Sequence, residues 1–88
     1  MLSIQDVIDY CDLDKCEIEA IAEHEHIPLA IAAELSDSLL CTPEGVCQLH
    51  AMIIENMQRA IEVGDYEHVQ DLYQTYQHLQ RKHPVPTH

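Results

Sequence analysis

Residues 42–83 read TPEGVCQLHAMIIENMQRAIEVGDYEHVQDLYQTYQHLQRKH, and the punctuation in this stretch decides the fold. Thr42 before Pro43 supplies an N-cap hydroxyl ahead of a proline at the first helical position, with Glu44 beside the positive end of the helix. Val46, Leu49, Ile53, Met57, Ala60 and Ile61 then recur at spacings of three and four, the stripe of a long amphipathic helix. Glu55 and Arg59 form an i, i+4 pair on its exposed side. Gly64 stops this helix and Asp65 immediately starts another, whose apolar face carries Val69, Leu72, Tyr73, Tyr76 and Leu79 until His83-Pro84 ends it. Two helices with apolar stripes and so short a link must fold back on each other as an antiparallel hairpin.

Upstream, the same signals recur and strand signals are almost absent. Pro28 keeps Ile27 out of the helical region and suits a first turn, which predicts a helix from Pro28 to Leu39 or Leu40. Asp14 with Glu17 predicts a helix over about Lys15 to Glu25 that buries Ile18, Ile21 and Ala22. Ser3 with Asp6 predicts a short first helix, with Ile4, Val7 and Ile8 on one face and its end near Tyr10 or Cys11. The expected fold is therefore all-α: a small bundle of about five helices, ending in the antiparallel hairpin. It forms one domain over residues 1–83, followed by a C-terminal tail at 84–88. Gly45 and Gly64 both read as helix punctuation.

Within that hairpin, the run Ala60-Ile61-Glu62-Val63-Gly64-Asp65-Tyr66-Glu67 resembles the inter-helix turn of a tetratricopeptide repeat. Such a repeat occurs once here and a solenoid needs about three, so the resemblance implies the hairpin geometry and not an array. The stretches Ala22 to Pro28, AEHEHIP, and Thr42 to Val46, TPEGV, are similar to segments of short, acidic, uncharacterised bacterial helical proteins; that likeness implies no activity.

Size and charge exclude much. With 88 residues there is room for one small domain, and a doubly wound sheet or barrel with its own cofactor site cannot be housed. The net charge is −12, and 10 of the 16 acids lie in residues 1–40 with Lys15 as the sole base there. Phosphate backbones and anionic lipid surfaces repel such a body, so neither nucleic acid nor membrane is expected as a partner, while a basic protein surface is attracted. A helix-turn-helix DNA binder is disfavoured on the same ground, because the would-be recognition helix, residues 28–40, carries Glu34, Asp37 and no base. No cationic start leads into an apolar segment and no apolar run approaches ~18 residues, which predicts a cytoplasmic protein with reduced thiols.

Two clusters have metal-ligand chemistry. Glu23-His24-Glu25-His26 puts a carboxylate and an imidazole at the i, i+3 spacing of carboxylate-bridged di-metal bundles, a pair that occurs once in the chain and that a homodimer would duplicate. The competing reading is a polar helix end, with His26 set against the negative end of the helix dipole. Cys47 and His50, also three apart, join Cys41 as part of a tetrahedral set that Cys16 or His24 could complete; no cofactor is assigned from the sequence, Zn and Fe being the candidate ions for such sites. Cys11 and Cys16, and likewise Cys41 and Cys47, have spacings that match neither zinc knuckles nor redox pairs, which favours buried cysteines. A Cys47–His50 nucleophile pair is conceivable near a helix N-terminus, but no oxyanion loop or phosphate-binding glycine motif accompanies it, so no catalysis is expected. The seven histidines are scattered over the chain and read as surface residues.

The expected function is a small protein-interaction or regulatory module, using the groove between the helix at 28–40 and the hairpin; the alternative is a metal-binding protein. A core this small also favours dimerisation. Tyr73, Tyr76 and the stripe of the helix after Pro43 are the surfaces that compete for packing within or between subunits.

Overall fold

A computed structural model describes residues 15–85. These form four helices and no strand: α1 (Lys15–Glu25), α2 (Leu29–Leu40), α3 (Pro43–Glu62) and α4 (Tyr66–Lys82). All four match helices expected from the sequence. The short helix expected from Ser3, and the last three residues of the expected tail, lie outside the described residues.

Local chemistry accounts for each boundary. Thr42 is extended (φ −133°, ψ 152°), and its Oγ1 accepts the Gly45 amide at 3.0 Å, the cap read from the Thr-Pro pair. Pro28 stands one position outside α2 as its N-cap, because its ψ of 155° is extended; its carbonyl accepts the Ala32 amide at 2.9 Å. At the far end of α3, Gly64 adopts φ 77°, and the Asp65 amide reaches back to the Ala60 carbonyl at 2.9 Å while the Gly64 amide reaches Ile61 at 3.0 Å. That is a Schellman closure with glycine at its left-handed position. Asp65 then caps α4, its Oδ1 accepting the His68 amide at 3.3 Å.

The α3–α4 hairpin is antiparallel, with His50 near the start of α3 meeting Tyr76 and His83 near the end of α4. α1 lies across one side of this pair, and α2 packs on α1 and α3. Ile18, Ile21, Ala32, Ala33, Leu49, Ile53, Leu72 and Leu79 fill the space between, with Val69, Met57 and Tyr76 half-buried at its margin. Two expected core residues are not in it. Ile61 is 51% exposed and Tyr73 is 56% exposed, since each lies at the edge of its stripe where the helix surface turns out of the hairpin contact.

Buried polar residues share the core face. Asn56, fully enclosed, donates from Nδ2 to the Ala20 carbonyl at 2.9 Å and so ties α3 to α1. Ser36 Oγ donates to the Ala33 carbonyl at 2.6 Å and Thr75 Oγ1 to the Asp71 carbonyl at 3.0 Å, each satisfying its hydroxyl within its own helix.

Gly45 requires a correction. It lies in the first turn of α3, and a Cβ there would sit 1.9 Å from the Leu39 carbonyl oxygen at the end of α2, so the residue is dictated by backbone approach and does not punctuate a helix. Gly45→Ala should therefore force α2 and α3 apart and cost about 1–3 kcal/mol. Urea unfolding followed by circular dichroism measures this; an unchanged midpoint would mean that the contact is not structurally required.

Candidate functional site

The residues singled out as metal ligands are sent in different directions. His26 adopts φ 56°, and the Ile27 amide closes onto the Ala22 carbonyl at 3.2 Å, so His26 fills the left-handed position that glycine fills at the end of α3. Its neighbour His24 approaches Glu25 Oε2 at 2.9 Å through Nδ1 and Glu55 Oε2 at 3.4 Å through Nε2. Glu55, expected opposite Arg59, thus leans toward α1. Glu23 pairs with His68 Nε2 at 2.6 Å across α1 and α4. With roughly a third or more of each side chain in solvent, that pair is worth about 0–1 kcal/mol and acts as a surface brace.

The cysteine set does not assemble either. His50 is 3% exposed: its Nε2 donates to the His83 carbonyl at 2.7 Å, its Nδ1 accepts from the Tyr76 hydroxyl at 3.2 Å, and the two rings meet edge to face with centroids 5.2 Å apart. Both ring nitrogens are therefore committed to α4. Cys47, one step further round α3, is exposed. Cys41 is exposed at the end of α2, its thiol donating to the Asp37 carbonyl at 3.2 Å, and Cys16 is half-buried beside α4; Cys11 lies outside the described residues. Among the described residues, no three His, Cys, Asp or Glu side chains converge as a metal site requires.

An open cleft of about 470 Å³ separates α1 from α4, lined by Cys16, Glu19 and Glu23 on one side and His68, Asp71 and His78 on the other. The Glu23–His68 pair spans it. The expected groove beside the helix at 28–40 is not where the hairpin gathers its exposed apolar side chains. Four of those, Ile54, Ile61, Tyr66 and Tyr73, lie on the opposite side of the hairpin from α1, while Val63 at the turn sits beside Glu23 and His68.

The placement follows from helical phase, about 100° per residue. His50 marks the flank of α3 that meets α4, and the residues one step further round are Cys47, Ala51, Ile54, Gln58 and Ile61. Tyr76 marks the matching flank of α4, and one step beyond it come Tyr66, Gln70, Tyr73, Gln77 and Gln80. Asn56 and His68, which reach α1, sit on the other flank of each helix, so these ten residues share the face turned away from α1. All ten are exposed and none is charged. Glu44, Glu62 and Glu55 border this sector on α3, the first two at the same offset from His50 that Gln70 has from Tyr76, and Arg81 borders it on α4, while Arg59, Glu67, Asp71 and Lys82 lie further round.

Comparison with protein-family models, with curated proteins and with solved structures returned no match for this chain. No described helix is long and apolar enough to cross a membrane.

Two residues that sequence reasoning did not single out turn out to be structural connectors, Asn56 and His68, and Glu17 is buried on α1. Asn56 was accessible from its spacing, three beyond Ile53 and four before Ala60, which places an amide in the apolar stripe. The Glu23–His68 contact spans 45 residues and leaves no local signal.

The two left-handed positions give opposite expectations. His26→Gly relieves a backbone conformation that costs a side chain about 1 kcal/mol and should raise stability by a few tenths to about 1 kcal/mol, whereas Gly64→Ala should lower it by about 1 kcal/mol. Denaturant midpoints of the two variants decide the matter; a destabilised His26→Gly protein would show that the imidazole makes a contact worth more than the strain. Loss of the buried His50 contacts in His50→Ala should cost about 1–3 kcal/mol, read in the same way.

Proposed function

We propose that this chain is a small helical protein-interaction module without catalysis of its own, and that it binds through the charge-free face of the α3–α4 hairpin. One observation carries this reading: ten exposed residues on one face of a chain with net charge −12 include no acid and no base, and four of them are large apolar or aromatic side chains, Ile54, Ile61, Tyr66 and Tyr73. A surface that serves only solubility is where charges are placed. A surface that must be dried on contact is depleted of charge and enriched in tyrosine, because burying an unpaired carboxylate costs far more than burying a phenol. The exposures of Tyr66 (65%) and Tyr73 (56%) are high for residues that bury well, and protein interfaces favour such aromatic anchors.

Glu44, Glu55 and Glu62 stand at the edge of this face on α3, within one helical turn of Cys47, Ala51 and Gln58. They keep the module soluble, while the contact itself is apolar and hydrogen-bonding.

The test is affinity capture on the immobilised full chain, compared with an Ile54→Gln/Tyr73→Gln double variant and with a Glu34→Gln/Asp37→Gln control on α2. Proteins retained by the native chain and by the α2 control, but lost from the hairpin variant, are the expected result. Identical recovery on all three surfaces, from a chain that also stays monomeric, would sink the reading.

A further inference from the structure

We infer that the partner seated on the charge-free hairpin face is a second copy of this chain, related by a twofold axis, so that two hairpins form a four-helix layer. This rests on the interaction reading above and names its partner. Charge provides the first argument. Two bodies at −12 repel wherever their acids face each other, and a face without acids is the surface on which they can meet. A face shaped for a basic partner would carry the opposite signature, with carboxylates placed to meet lysine or arginine.

Hydrogen-bond chemistry is the second argument. The polar groups of the face are glutamine amides and tyrosine hydroxyls. Each is both donor and acceptor, so the surface is complementary to itself, as a twofold contact demands. A face bearing only donors or only acceptors could not pair with its own image.

Size is the third. Two helices side by side, ~10 Å apart and ~25 Å long, present roughly 500 Å² each time, and two such faces together reach roughly the 1,000 Å² at which specific association begins. Ile54 and Tyr73 sit midway along the sector in their two helices, which places them next to the axis, with Ile61 and Tyr66 toward the turn. Antiparallel hairpins apposed in this way reproduce four-helix packing. The modest area implies a dimer that forms with concentration and is not an obligate one.

Sedimentation equilibrium of the reduced full chain, over about 10–500 μM, tests this. The expected mass rises from the 10.1 kDa monomer toward twice that value. Association should strengthen several-fold between about 50 and about 500 mM NaCl, because salt screens the repulsion of the two acidic bodies. Tyr73→Glu and Ile54→Glu should each weaken it by at least about ten-fold, with unchanged helical dichroism, since each puts a charge at the centre of the contact. A monomer throughout the range, a dimer indifferent to both substitutions, or a dimer that weakens with salt would each overturn the inference. The two readings separate cleanly. A monomeric chain whose hairpin variant still loses a captured protein leaves the interaction module standing and removes the self-pairing; a monomeric chain with identical capture removes both.

Discussion

The hairpin depends on a connection in which almost nothing is spare. Gly64 takes the one left-handed position that closes α3, and Asp65 both completes that closure with its amide and caps α4 with its carboxylate. With two roles on one residue, the phase between α3 and α4 is set by the turn itself: Leu49 and Ile53 face Leu72 and Leu79, and Ile54 emerges on the same outer side as Tyr73. α1 and α2 then cover the side where the apolar stripes point. The outer face is a by-product of that phase, and its composition is what gives it meaning.

Within the bundle, polar contacts do the aligning and apolar ones supply most of the cohesion. Removing Ile18, Ile21, Leu49 and Ile53 from water stabilises by about 1.5–3 kcal/mol per side chain, before the ordering entropy that opposes it. Apolar burial alone tolerates sliding. The Asn56 amide on the Ala20 carbonyl, the Glu23–His68 pair and the His50 contacts at the end of α4 each admit one register, so they fix where α1 sits on the hairpin and where α4 ends. Gly45 contributes in the same sense by letting the end of α2 approach α3 more closely than any side chain allows.

Helices and their ends were legible in the sequence because their determinants are local. The Thr42-Pro43 cap, the Gly64 stop and the Pro28 break each act within a few residues, and the four described helices fall where those signals put them. The site was legible only in part. Histidines and cysteines three apart on a helix look like ligands, yet the bundle turns His50 into the core and leaves Cys47 in water, because burial is decided by the phase of the whole stripe and not by the pair. Ile61 and Tyr73 were assigned to the core since their spacing fits; only the packing of one helix on the other shows that each lies just past the contact line. The missing charges on the outer face are printed in the sequence, but they become a pattern only once α3 and α4 are laid side by side.

The tyrosines also make the chain its own optical probe. It holds no tryptophan, so its intrinsic emission comes from four tyrosines alone. Tyr66 and Tyr73 stand in water on the outer face, and Tyr76 lies against the His50 ring inside the hairpin. Among the described tyrosines, quenching by a soluble agent therefore separates Tyr66 and Tyr73 from the half-buried Tyr76, and it reports without any label on the state of the outer face.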